Sequence, residues 1–181
     1  VLYFAALYFS GHHFTTERTA MTYPNARQVA QYVLDKRQEC GDAVTPMQLI
    51  KLAYIAQGHM LGRHGRPLFS DAVEAWQYGP VVPSVYHAVK EFRSQPVSRV
   101  TPANDYYDFS PAEREVMDLV ADQYGPYDGI VLSSSTHQQG SPWEQTWSKI
   151  GKNAVISNDL IEHFYRGLIK QQTHSALKIL P

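Results

Sequence analysis

Thr45-Pro46-Met47-Gln48-Leu49-Ile50-Lys51-Leu52-Ala53-Tyr54-Ile55-Ala56-Gln57-Gly58-His59-Met60-Leu61 is the stretch that decides the fold. It opens on a helix start signal. The Thr45 side chain can accept from a free backbone N–H of the first turn, and Pro46 sits where its missing N–H leaves nothing unpaired. Leu49, Leu52, Ala53, Ala56 and Met60 then make one face, while Ile50, Tyr54 and Ile55 make others. A helix that is apolar nearly all round is touched on most sides, so this one is expected at the centre of the molecule. Gly58, Gly62 and Gly65 are read as helix end and turn, with Gly62 and Gly65 closing the helix.

Working outward, similar start signals recur. Asn25-Ala26-Arg27-Gln28 is a capping-box pattern, followed by Ala26, Val29, Ala30 and Val33 at helical spacing and by Gly41 as a stop. Residues 71–78 carry Val73, Trp76 and Tyr78 and run into Gly79-Pro80. They predict a short strand or extended arm, paired with residues 66–69 in a small hairpin. Pro83-Ser84 leads into a third helix with Val85, Ala88, Val89 and Phe92 as its apolar members. Residues 94–109 are rich in Pro, Ser, Thr, Asn and Asp and read as a loop. Ser110-Pro111-Ala112-Glu113 opens a fourth helix, Asp128 caps a fifth, and Ser141-Pro142-Trp143-Glu144 opens a short sixth. Ser157 or Asn158 caps the last, where Leu160, Ile161, Phe164, Tyr165, Leu168 and Ile169 form an apolar stripe. The expected fold is mainly α: a compact single domain of six or seven short helices with a small β-hairpin or extended arm.

The domain is assigned to residues 21–181. Residues 1–20 are read as an upstream extension outside the fold, the alternative being an apolar arm that docks on a neighbouring subunit. Their apolar run, residues 1–9, is shorter than the roughly 20 residues that cross a bilayer. The remaining length, with 44% hydrophobic and 18% charged residues in the chain, suits one globular domain and not a disordered or coiled-coil chain. A formal net charge of -1 gives no support to a nucleic-acid or membrane-surface partner. The lone cysteine, Cys40, allows no internal disulfide and fits a reducing, cytoplasmic setting.

Few residues suggest chemistry. Neither the histidines nor the glycines have metal-ligand or phosphate-cradle spacing, so neither a metal nor a cofactor is expected. His137 could serve as a base only with a nucleophile and an orienting acid nearby. Ser133, Ser134 and Ser135 lack the glycine pattern of a nucleophile elbow, and a structural histidine bonded near the Gly140-Ser141 turn or lying against Trp143 is the simpler reading. Trp76, Tyr78, Pro80 and Val81 place two large aromatics beside a rigid corner. They suit either packing of the hairpin on the central helix or anchoring of a partner. From residue 105 to 128 there are seven acids against one base, Arg114. Glu115, Asp118 and Asp122 share one helix face there, either as a solvated stripe or as a surface that steers a basic partner. A nucleic-acid-binding regulator would need a basic face, for which Lys149, Lys152, Arg166, Lys170 and Lys178 are the candidates.

Several blocks then agree in order. Residues 51–58 (KLAYIAQG), residues 66–69 (RPLF) and residues 74–82 (EAWQYGPVV), followed by Thr136-His137, Gly140-Ser141-Pro142-Trp143 and Ile156-Ser157, resemble the Panacea domain family of SocA-like antitoxins and phage-associated proteins. The resemblance runs from about residue 25 to residue 167; the N-terminal extension and the serine-rich fifth helix depart from the family pattern. It implies a mainly helical cytoplasmic protein that is not an enzyme and acts by binding proteins. The implied partner is a protein toxin, encoded by a linked gene and neutralised by direct contact. In one branch a protease is a second partner, to which the toxin is delivered. Trp76, Tyr78, Pro80, Val81, Glu115, Asp118, Asp122, His137 and Trp143 are the candidate partner-binding residues. An uncharacterised enzyme using His137 is the remaining alternative.

Overall fold

The computed structural model describes residues 23–100 and 107–177. The expectations for residues 1–20 lie outside them. Seven α-helices and one two-stranded antiparallel sheet make up the described chain: α1 (Ala26–Glu39), α2 (Pro46–His64), β1 (Glu74–Trp76), β2 (Gly79–Val81), α3 (Pro83–Val89), α4 (Pro111–Gln123), α5 (Gly129–Thr136), α6 (Pro142–Lys149) and α7 (Asn158–Leu177). A single 3-10 turn, Lys90–Phe92, extends α3.

The start signals act as local chemistry dictates. At Asn25, Thr45 and Ser110 the side chain accepts from the backbone N–H three residues on, and Gln28, Gln48 and Glu113 reach back to the cap's own N–H. Asp128 caps α5 by accepting from Ile130 and Val131 N–H. Ser141 caps α6, and Ser157 Oγ accepts from Leu160 N–H at the start of α7. Each start satisfies donors that the first turn would otherwise leave bare.

Helix α2 is the axis. Every residue from Gln48 to Leu61 is buried, and α1, α3, α4, α5, α7 and β2 all pack against it. One expectation is corrected here. Gly58 and Gly62 do not end α2; they lie inside it, and only Gly65, at φ +63°, is the left-handed cap. Their role is close approach: a Cβ on Gly58 would overlap the Tyr165 ring, and one on Gly62 would lie 2.9 Å from the Tyr165 carbonyl carbon. Two missing side chains let α7 sit directly on α2, as small residues do at tight helix crossings.

Polar side chains inside this core hold its segments together, although Arg37 Nε and His59 Nδ1 have no hydrogen-bond partner among the described residues. Gln57 accepts from Leu68 N–H at 2.7 Å and Phe69 N–H at 3.2 Å and donates to Phe69 O, so it holds the 67–69 segment against α2. This segment therefore does not pair with β1, contrary to expectation. A side-chain amide already takes up its backbone groups, and β1 pairs instead with β2: Glu74 with Val81, Ala75 with Pro80 and Trp76 with Gly79. On its other edge β1 meets residues 153–156, through Asn153 N–H to Ala75 O and Ala75 N–H to Ala154 O, both 2.8 Å. His59 is wholly buried, with Nε2 3.0 Å from Tyr124 Oη and its ring edge-on to Tyr165. Burial, with a smaller contribution from Arg63, lowers its pKa to about 4.

Candidate functional site

The β1–β2 hairpin is held from beneath through its own backbone. Lys51, on α2 and only 2% exposed, donates from Nζ to Tyr78 O at 2.6 Å and Pro80 O at 3.0 Å. Burial brings its pKa down to about 7. Gly79 is required above it. Its φ is +100°, and a Cβ there would stand 2.6 Å from Lys51 Nζ and 3.0 Å from Thr136 Oγ1. Ser133 Oγ, on α5, donates to the same Tyr78 O at 3.0 Å. Trp143 Nε1, on α6, donates to Trp76 O at 2.8 Å.

This arrangement brings most of the sequence-derived candidates together. His137 follows the last turn of α5, with Nδ1 2.6 Å from Ser133 O and its ring 4.0 Å from that of Trp143. Its bond goes to a backbone carbonyl, so it buttresses the Trp143 ring that holds the hairpin. Trp76 is half-buried, packs edge-on against Tyr86 at 4.9 Å and donates to Glu74. Pro80 and Val81 are buried. Tyr78, at the hairpin tip, is 66% exposed. Of the two hairpin aromatics, Trp76 packs and Tyr78 projects into solvent.

Beside the hairpin lies a groove of about 650 Å³ between the first turns of α2, the hairpin, α3 with its 3-10 extension, and residues 152–153. Met47, Ile50, Trp76, Val81 and Tyr86 give it an apolar floor, and Lys90, Arg93 and Lys152 stand among its lining. No carboxylate lines it. All three cations are exposed, and none makes an ion pair among the described residues. Among those residues Arg93 and Asn153 are the non-glycine positions with positive φ, at +54° and +60°, and both line this groove. Asn tolerates the left-handed region, but Arg93 at ψ -106° does not fit it, a conformation that costs about 1–3 kcal/mol and is found at ligand clamps.

The acidic stripe lies apart, on α4. Glu115 and Asp122 are exposed, but Asp118 accepts from Tyr32 Oη at 3.0 Å and lies 3.5 Å from Lys36 Nζ, joining α4 to α1. Burial, and then the Asp118 contact, raises the Tyr32 hydroxyl pKa. Among the described residues no group of three or more His, Cys, Asp or Glu has a geometry for a metal ion. No helix among them is long and apolar enough to cross a membrane.

The groove cations escaped sequence reasoning as a group. Lys90 and Arg93 lie about sixty residues from Lys152, and nothing local ties them together. Lys51 did carry a signal: a single charge in a helix apolar all round is a buried charge that needs acceptors.

The comparisons with known proteins bear on this same region. The family model described as antitoxin SocA-like, Panacea domain, matches residues 49–144, from the first turn of α2 into α6. The chain belongs to this family. Among individual Panacea relatives, the protein named Antitoxin SocA from Caulobacter vibrioides (strain NA1000 / CB15N) is 29% identical over 143 residues, covering 71% of this chain and 73% of the relative. No solved structure matches the chain. The matched stretch contains Lys51, the whole hairpin, His137 and Trp143.

Proposed function

We propose that this Panacea protein is a cytoplasmic antitoxin that neutralises a partner protein toxin by direct contact, with the hairpin tip and its groove as the docking face and no chemistry of its own. The observation that carries the proposal is the hairpin: Tyr78 projects into solvent while Lys51, Ser133 and Trp143 hold the backbone that presents it. A large aromatic on a fixed frame contributes contact area at little ordering cost, as binding hot spots do. Membership in a SocA-like antitoxin family supports the same conclusion, as does a relative whose name is Antitoxin SocA. His137 serves this role as a buttress, since its Nδ1 bond is to Ser133 O. Glu115 and Asp122 on α4 act, in this proposal, only on the rate at which a partner arrives.

The test is expression of the product of the neighbouring reading frame alone and together with this chain. Growth arrest by the neighbour, relieved by this chain, is expected. A neighbour that is harmless alone, or one that stays toxic beside this chain, overturns the proposal. Toxin abundance separates the two modes of action. Direct neutralisation leaves the toxin at full level in a co-purifying complex, whereas delivery to a protease depletes it.

A further inference from the structure

The groove beside the hairpin has a distinct chemical bias. Its floor is apolar, and three unpaired cations from two separate parts of the chain stand at its lining with no carboxylate among them. Exposed like charges that face one cavity repel one another, and that repulsion is relieved by an anionic occupant. The chain as a whole is slightly acidic, at net -1, so the bias is local and not a reflection of composition. One lining residue, Arg93, holds φ +54° with ψ -106°, a strained conformation for a non-glycine residue of the kind found at ligand clamps.

We propose that this groove receives an acidic segment of the partner protein, which seats a large apolar side chain between Ile50, Trp76 and Tyr86 while its flanking carboxylates pair with Lys90, Arg93 and Lys152. The inference rests on the docking face proposed above and adds the chemistry of what docks there. A peptide segment is favoured over a small anion because the apolar surface continues past the cavity. Met47 on its edge is exposed and meets the first residue of α5, where a Cβ on Gly129 would lie 3.0 Å from it, and the next residue, Ile130, is 73% exposed. It is favoured over nucleic acid because the floor is aliphatic as well as aromatic and three cations neutralise few phosphates.

The experiment uses the full chain and defined probes. A fluorescent peptide alternating Glu and Asp with Phe and Leu is titrated by anisotropy. It is compared with the same peptide bearing Lys for each acid, the same acidic peptide bearing Ser for each Phe and Leu, and single-stranded poly-dT. The acidic apolar peptide is expected to bind at least tenfold more tightly than the other three, and to lose at least tenfold with Lys90→Glu combined with Lys152→Glu. These two sites are exposed, so the melting temperature should hold, and Arg93→Gln provides a second, milder variant. Equal binding of the acidic peptide to both variants and the parent, no binding of it at all, or tighter binding of poly-dT overturns the inference. The same variants in the co-expression assay separate the two proposals. Full rescue by Lys90→Glu with Lys152→Glu defeats the acidic-segment inference and leaves the antitoxin proposal standing. Failure of the parent chain to rescue, with the peptide preference intact, defeats the antitoxin proposal alone.

Discussion

Tyr165 of α7 fills the space that a side chain at Gly58 of α2 would need. The ring is buried, edge-on to both Tyr54 and His59, and burial raises its hydroxyl pKa well above the ordinary tyrosine value. The two longest helices of the structure are therefore joined at a point where one contributes an aromatic ring and the other contributes nothing but backbone.

Gly58→Ala tests that joint. Although alanine favours helix by about 1 kcal/mol over glycine, the added methyl must displace a packed ring, and overpacking costs about 1–3 kcal/mol or more. A net loss of about 1 kcal/mol is expected in chemical denaturation. The double variant Gly58→Ala with Tyr165→Leu should lose less than the sum of the single changes. Strict additivity would show that the two residues do not share this space.

Acid sensitivity follows from His59. In the unfolded chain it protonates near pH 6.5, and in the folded chain burial holds that step down to about 4. Between these values the unfolded state binds more protons, so stability rises with pH across the window. The contribution is complete above pH 6.5 and is lost as pH falls through about 4, for a total of about 3 kcal/mol. His59→Gln keeps a polar group for Tyr124 without titrating. Its denaturation midpoint should change distinctly less than the parent's between pH 6.5 and 4, and parallel curves would remove His59 as the cause.

Lys51 gives the opposite end of the pH scale. Its pKa is about 7 when folded, against 10.5 for an ordinary lysine, so between pH 7 and 10.5 the unfolded chain carries the extra proton. Stability should therefore rise with pH through that range, while below pH 7 both states are charged and the contribution is flat. Lys51→Met removes the rise and takes the donor from Pro80 O. Hydrogen exchange at residues 75–81 should quicken in that variant. Unchanged exchange there would mean that Lys51 does not hold the hairpin.

Tyr78→Ala separates folding from recognition. The side chain is 66% exposed and its carbonyl, not its ring, makes the bonds to Lys51 and Ser133. Stability should stay within about 0.5 kcal/mol of the parent. Rescue of the partner's toxicity should fall by the tenfold or more that loss of a hot spot brings. Full rescue by this variant would remove the tip from the docking face.

Local signals in the sequence were legible because their causes are local. The capping boxes at Asn25, Thr45 and Ser110 need only a residue and its neighbour three positions on. The central place of α2 follows from its all-round apolar surface. The hairpin's existence was visible in Trp76, Tyr78 and Gly79-Pro80, but its partner was not. Strand choice is decided by competition, and Gln57 withdrew the 67–69 segment by bonding its backbone. Gly58 and Gly62 read as stops because a glycine that makes room for another helix looks, along the chain, the same as one that ends its own. His137, Trp143 and the hairpin stand out along the chain through motif and resemblance, and the structure brings them together. Lys90, Arg93 and Lys152 were not recognised together, since only folding brings the 3-10 turn and residue 152 to one cavity.

The bonds that fix the hairpin end on the carbonyl oxygens of Ala75, Trp76, Tyr78 and Pro80, whose geometry is common to every amino acid. Gln77 and the Tyr78 side chain have no part in them. Side chains on the outer edge of this turn can thus change without touching the bonds that hold it in place.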